Sequence, residues 1–265
     1  MDLLSPESLA AYRRDGFTTH PTFFDADEVA LMRAELDRLM AEGLLRNVAT
    51  DGDGATISRT VANLQICPLS PKSPVFRTLP FAAKVRAQVQ AILGPTIALR
   101  LDQIFLKPAH HGVGTNWHQD NAYFRDGADA KAVHGLGMWI ALHDATVANG
   151  CMHVIPGAFA QTAEHRRDGG SNHHITLVEV DESKAVPIEL PAGGVLFFNW
   201  GVPHCPKANT TDRPRAGLAL HFQDLHLGPP SPGHPLRAIV LGPQACRDHD
   251  GAWEDLVAGV GATRP

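Results

Sequence analysis

Apolar positions set the organisation of this chain. Across residues 25–42, Val29, Met32, Leu36, Leu39 and Met40 recur at helical spacing, so one face of an α-helix is apolar. Asp25 suits the N-cap of that helix and Gly43 its stop. A shorter helix is predicted over 5–14, an extended segment over 16–24, and a third helix over 81–93, closed by Gly94-Pro95. From residue 96 onward the pattern changes to short runs rich in β-branched and aromatic residues, broken by Gly, Pro and Asn, as in an all-β sandwich or barrel. Strands are predicted over 97–107, 135–144, 151–155, 174–179, 186–190, 195–199 and 216–223. Asn149-Gly150 tolerates the positive φ of a type I′ turn and is expected to join the second and third of these as a hairpin. The stretch GPPSPGHP and the sparse apolar pattern after it predict an irregular tail packed on the outside.

The fold class expected is therefore mainly β with flanking helices. Residues 1–95 form a largely helical part packed on a β core of 96–226, with 227–265 as the tail, all in one domain. A net charge of -5, with both signs mixed along the chain, gives no basic stripe for a phosphate backbone and no cluster for anionic lipid. The expected partner is a small molecule, not nucleic acid or a membrane. Charges within the first two turns argue against a signal peptide, and no stretch reaches the roughly 20 apolar residues of a spanning helix, so a cytoplasmic protein is expected. Cys67, Cys151, Cys205 and Cys246 are scattered without a C-x-x-C pair and read as reduced, mostly buried thiols.

Fifteen histidines make most candidate metal sites bland, so spacing has to select among them. In TNWHQDNAYF, His118 and Asp120 are two residues apart, and in extended backbone such side chains project to the same side, where they can share one metal ion. In FFNWGVPHCPKANTTDRPRAGLALHF, a buried-looking strand ends in a turn that presents His204, and a return strand begins at Arg215. Alternation puts Arg215, Gly217, Ala219 and His221 on one face and Leu218, Leu220 and Phe222 on the other. The first face can line a cavity while the second packs beneath the helices. Two imidazoles and a carboxylate on one side of an iron leave positions open for a bidentate oxo acid and dioxygen. The remote carboxylate of that acid needs a rigid, permanently charged fork, which Arg215 supplies.

WHQDNAYF, ALHDATVANGCMHVIPGAF and NWGVPHCPKANTTDRPRAGLALHF, together with the opening YRRDGFTTHPTFFDADEVALMRAEL, resemble the phytanoyl-CoA dioxygenase family over roughly residues 5 to 226. The resemblance implies a double-stranded β-helix, or jelly-roll, core of cupin-like type. It also implies Fe(II) at His118, Asp120 and His204, 2-oxoglutarate on Arg215, and O2 as oxidant. The implied reaction oxidises a small organic molecule, by hydroxylation or a related outcome, with release of succinate and CO2. A fatty acyl-CoA substrate does not follow, because no basic cluster for the CoA phosphates is evident. Asp120 fills the position that a glycine or alanine leaves to halide in the related halogenases, so hydroxylation is expected over halogenation.

Further candidates surround these four. Gln103 on the first long strand is expected to hydrogen-bond 2-oxoglutarate or substrate, with Asn116 and Trp139 shaping the cosubstrate pocket. Tyr123 and Phe124 are expected as a wall or lid, and residues 58–65, with Asn63 and Gln65, as a recognition segment over the mouth. His221 faces the site as a group that orients a ligand or substrate, while Trp117 reads as packing. The adjacent pairs His110-His111 and His173-His174 read as loop residues rather than ligands, since neighbours in a strand point opposite ways. Two competing readings are a metal-dependent isomerase or hydrolase that uses the triad without oxygen, and a non-catalytic sensor.

Overall fold

A computed structural model describes residues 3–124, 135–227 and 239–262. The chain runs through α1 (Pro6–Asp15), β1 (Phe17–His20), α2 (Ala26–Ala41), β2 (Arg46–Asn47), β3 (Leu64–Ile66), α3 (Pro74–Thr78) and α4 (Ala83–Leu93). It continues through β4 (Ile97–Lys107), β5 (Gly135–Ala141), β6 (Met152–Val154), β7 (His165–Arg167), β8 (Ile175–Leu177), β9 (Val186–Ile188) and β10 (Val195–Asn199). β11 (His204–Pro206), β12 (Arg215–Asp224), β13 (Ile239–Val240), α5 (Pro243–Asp248) and α6 (Ala252–Ala262) follow. α2 begins at a capping box. The Asp25 carboxylate accepts from Asp27 N and Glu28 N, and the Glu28 carboxylate accepts from Asp25 N, an arrangement that stabilises a helix start by about 1 kcal/mol.

The large antiparallel sheet has the order β1-β10-β5-β12-β4-β3-β2, with β13 paired to β4. A smaller antiparallel sheet, β11-β6-β9, lies against it. Strand alternation divides the large sheet into two faces. Ile104, Leu106, Met138, Ile140, Leu218, Leu220 and Phe222 pack against Met32, Leu36 and Leu39 of α2 and Val85 and Val89 of α4. Each such side chain contributes roughly 1.5–3 kcal/mol through the apolar surface removed from water. Trp139, Leu196, Phe198 and Ala219 face the other way and meet Met152, Val154 and Ile188 of the small sheet. These stacked antiparallel sheets with helices on one side make the jelly-roll arrangement, and the cavity opens between them.

Several sequence expectations need correction. The turn at Asn149-Gly150 exists, with Gly150 at φ 82°, but β5 and β6 do not form a hairpin. β5 pairs with β10 and β12, while β6 pairs with β9 and β11, so the turn carries the chain from one sheet to the other. The tail is not irregular over 239–262. It holds β13, α5 and α6, and buried Trp253 donates from Nε1 to Glu28 Oε1 at 3.0 Å. The expectation for 228–238 lies outside the described residues. α3, β2, β3, β7 and β11 were not foreseen, and none exceeds five residues. Cys151 and Cys205 are buried, Cys67 and Cys246 half-buried, and all are free thiols. No helix among the described residues is long and apolar enough to cross a membrane.

Candidate metal centre and anion pocket

His118 and His204 face each other across an isolated antiparallel bridge. His118 N donates to His204 O at 3.1 Å and His204 N to His118 O at 2.9 Å, which fixes both rings on one side of the backbone. Asp120 follows two residues on and opens a short 3-10 turn. One ligand atom from each of His118, Asp120 and His204 lies within 4.8 Å of the others, and all three residues are buried. Asp120 Oδ1 stands 3.6 Å from His118 Nε2 and 3.6 Å from His204 Nε2.

The outer nitrogen of each ring is already committed. His118 Nδ1 lies 2.7 Å from Asn116 O, and His204 Nδ1 lies 2.9 Å from Val202 O. A carbonyl only accepts, so Nδ1 carries the proton and Nε2 presents its lone pair to the centre. Burial, with His204 alongside, pushes His118 down to about 3, and burial pushes His204 down to about 4, so both rings are neutral at physiological pH. Asp120 Oδ2 is buried without a hydrogen-bond donor. His221 Nδ1 approaches it at 3.3 Å, within ion-pair distance but outside hydrogen-bond geometry. Two lone pairs and a carboxylate converging where buried polar groups are otherwise unsatisfied fit a divalent cation.

The centre borders a cavity of about 370 Å³. At one end Arg215 on β12 and Lys107 on β4 are direct cross-strand partners, and each is only 1% exposed. The Arg215 guanidinium donates to Gly150 O and lies 5.4 Å from the Trp139 ring centroid, while its Nε has no partner. Gly217 makes this stacking possible, because a Cβ there would meet the Trp139 ring at 2.4 Å. Lys107 Nζ donates to Val113 O at 2.5 Å. Burial lowers Arg215 to about 10, so it stays charged at neutral pH. Burial and the adjacent Arg215 hold Lys107 well below the ordinary lysine value. Neither cation has a carboxylate partner among the described residues. Burial without a counter-charge disfavours the charged form of both groups, and an anionic ligand restores it.

The cavity lining brings together most of the residues singled out in the sequence. Gln103, Trp139, Tyr123, Phe124, Asn63, Gln65 and His221 all border it. Tyr123 Oη accepts from Ile175 N at 3.0 Å, Phe124 stacks on Trp200 at 4.3 Å, and Asn63 Nδ2 donates to Thr115 Oγ1 at 3.2 Å. Both ring nitrogens of His221 are buried and without hydrogen bonds. Asn116 is placed elsewhere. Its side chain donates to Asp168 Oδ1 at 3.0 Å and lines a neighbouring polar cavity of about 260 Å³.

Among the lining residues that were not foreseen are four basic or imidazole side chains, Arg46, Lys107, His173 and His174. The signal for Lys107 was present, since Leu101, Gln103, Phe105 and Lys107 alternate onto one face of β4. His173 and His174 lie outside any strand, just before β8, as their loop reading expects, and neither belongs to the three-ligand cluster, but both reach the cavity wall. Their ring centroids are 4.1 Å apart, and His174 lies parallel to His118 at 6.4 Å.

Comparison with known proteins places this geometry in context. The profile of the phytanoyl-CoA dioxygenase family matches residues 12–217. "Phytanoyl-CoA dioxygenase domain-containing protein 1" of Rattus norvegicus is 26% identical over 270 residues, covering 84% of this chain and 91% of its own. The "Ectoine dioxygenase" of Halomonas elongata is 27% identical over 232 residues, covering 80% of this chain and 68% of its own. Among solved structures, EvdO2 from Micromonospora carbonacea var. aurantiaca complexed with 2-oxoglutarate is 25% identical, with a TM-score of 0.67 over 88% of this chain and 95% of its own. The α-ketoglutarate-dependent carbocyclase SnoK shares the fold, with a TM-score of 0.71 and 21% identity over 90% of this chain and 97% of its own.

Proposed function

The chain belongs to the phytanoyl-CoA dioxygenase family, and we propose that it is an Fe(II)- and 2-oxoglutarate-dependent dioxygenase acting on a small organic molecule, with the metal on His118, Asp120 and His204. The observation that carries this reading is the pairing of two sites in one cavity. A three-ligand cluster with both imidazoles locked in the metal-binding tautomer shares that cavity with two buried basic side chains, Lys107 and Arg215, that have no carboxylate partner among the described residues. When bound, iron and 2-oxoglutarate supply dioxygen activation, with succinate and CO2 released and the substrate oxidised.

The chain's own residues do the positioning. Asn116 O and Val202 O hold the Nδ1 protons and aim both Nε2 lone pairs, so the ligand set needs little rearrangement on binding. Arg215 presents a planar fork to the distal carboxylate with the Trp139 ring beside it, and Lys107 adds a second basic group across the strand pair. Phe105, Phe198 and Met152 enclose the cavity with apolar surface, which strengthens these ionic contacts and keeps water from the reacting centre.

Succinate production and oxygen uptake, measured across a panel of small molecules, test this reading. Iron- and 2-oxoglutarate-dependent succinate is expected, stimulated by the true substrate and abolished in His204→Ala. Metal-dependent turnover without oxygen uptake would favour the isomerase or hydrolase reading instead.

A further inference from the structure

The cavity lining holds three lysine and arginine side chains, Arg46, Lys107 and Arg215, and one carboxylate, Asp120. On the reading above, Asp120 faces the metal, while Lys107 and Arg215 receive 2-oxoglutarate. Arg46 is left. It lies on β2, two strands from β4 across the sheet, a separation of roughly 10 Å. Arg215 lies one strand further on, on β12, and no hydrogen bond joins Arg46 to either Lys107 or Arg215, so Arg46 is available to a second acid group. The exposed Arg46 side chain contacts only Gln65 through hydrogen bonds, and no carboxylate pairs with it among the described residues.

Arg46 also sets the direction of a row of amides. An arginine only donates, so Gln65 turns Oε1 toward it, accepting from Nε at 3.2 Å and NH2 at 2.7 Å. The Gln65 amide nitrogen then faces inward and donates to Gln103 Oε1 at 2.9 Å. Its second hydrogen points to His173 Nε2 at 3.5 Å, where a lone pair is available because His173 Nδ1 faces Asn172 Oδ1 at 2.8 Å. Gln103 is thereby forced to present Nε2, a donor without a partner among the described residues, to the cavity. Gln65 is only 2% exposed, so this polarity is built into the wall rather than chosen by solvent.

We propose that the substrate is an anionic small molecule whose acid group is received by Arg46 at the exposed end of the cavity, with an oxygen acceptor on Gln103 Nε2. This rests on the assignment of Lys107 and Arg215 to 2-oxoglutarate. The apolar body of such a molecule lies against Leu101, Phe105 and Phe124.

Matched probes test the proposal. A panel of carboxylates from butanoate to 3-phenylpropanoate, each paired with its primary carboxamide, is titrated anaerobically into protein loaded with Fe(II) and 2-oxoglutarate. Perturbation of the metal-to-ligand charge-transfer band gives the affinity. At least one carboxylate is expected to bind about tenfold more tightly than its amide, the scale of one charge-assisted hydrogen bond. Arg46→Gln should erase that preference, and Arg46→Lys should keep part of it. Equal binding of acid and amide, no binding by any carboxylate, or a preference that survives Arg46→Gln would each overturn the proposal. Absence of the band in unaltered protein would sink the cosubstrate reading and this one with it. A band without acid discrimination would sink this one alone.

Discussion

Replacing Arg215 by lysine separates charge from shape at the anion pocket. The residue is fully enclosed, its guanidinium held by Gly150 O with the Trp139 ring centroid 5.4 Å away, so the fork is restrained before any ligand arrives. Lysine keeps a cation but offers a single point of contact, losing one charge-assisted hydrogen bond of about 1.5–3 kcal/mol. That corresponds to a loss of roughly tenfold to a hundredfold in 2-oxoglutarate affinity. Two features of the site push toward the upper end. Lys107 already sits directly opposite, and Arg215 depresses its ionisation, so a second buried ammonium there gives up its proton more readily than a guanidinium does. Lys107 remains in place, so binding is weakened rather than abolished. The assay is an anaerobic titration of 2-oxoglutarate into the Fe(II) forms of both proteins, read from the charge-transfer band, with iron affinity measured in parallel. Equal 2-oxoglutarate affinities would show that another group holds the carboxylate, and an equal loss of iron binding would show that the substitution disturbs the whole centre.

Other outcomes follow from the same geometry. Gly217→Ala should weaken 2-oxoglutarate several-fold by displacing Trp139 from Arg215, and unchanged binding in the same titration would remove Trp139 from the account. Lys107 is held below the ordinary 10.5, so the unfolded chain binds more protons and ligand-free stability should rise as pH climbs toward that value. Lys107→Met should flatten that slope in thermal unfolding and shrink the upward Tm shift produced by 2-oxoglutarate; an unchanged slope would count against it. In chloride-containing buffer the products should carry oxygen or a new double bond, and mass spectrometry finding a mainly chlorinated product would contradict a carboxylate ligand at Asp120. Leu36→Ala, at a site 2% exposed beneath the large sheet, should cost about 2–5 kcal/mol in denaturant unfolding, and a cost below 1 kcal/mol would mean the α2 contact collapses without a cavity.

The long, locally determined elements were legible before any coordinates. β4 and β10 have the bounds that their apolar pattern predicted, and α2 begins where Asp25 and Glu28 build a capping box. The spacings that bring His118 and Asp120 to one side, and that turn Arg215 and His221 toward the β12 face lining the cavity, were equally visible. What escaped depends on contacts between distant segments. β2 and β3 are two and three residues long and exist because β3 pairs with β4 and β2 with β3, so nothing local marks Arg46 as part of a cavity wall. α6 is held through Trp253 and Glu28, residues 225 positions apart, and its glycine-containing stretch gave little helical signal. Gly150 was recognised as a turn former. Its role as acceptor for Arg215 is a tertiary fact, created when the turn crosses between sheets rather than closing a hairpin.

Iron binding is the property on which the three-ligand centre stands or falls. Purified protein reconstituted anaerobically with Fe(II) should hold one ion per chain, and His118→Ala, Asp120→Ala and His204→Ala should each lose most of that affinity while keeping the unaltered unfolding profile. Equilibrium dialysis of the four proteins decides the matter. Retention of full iron affinity by His204→Ala would contradict the three-ligand centre, whatever the fold around it.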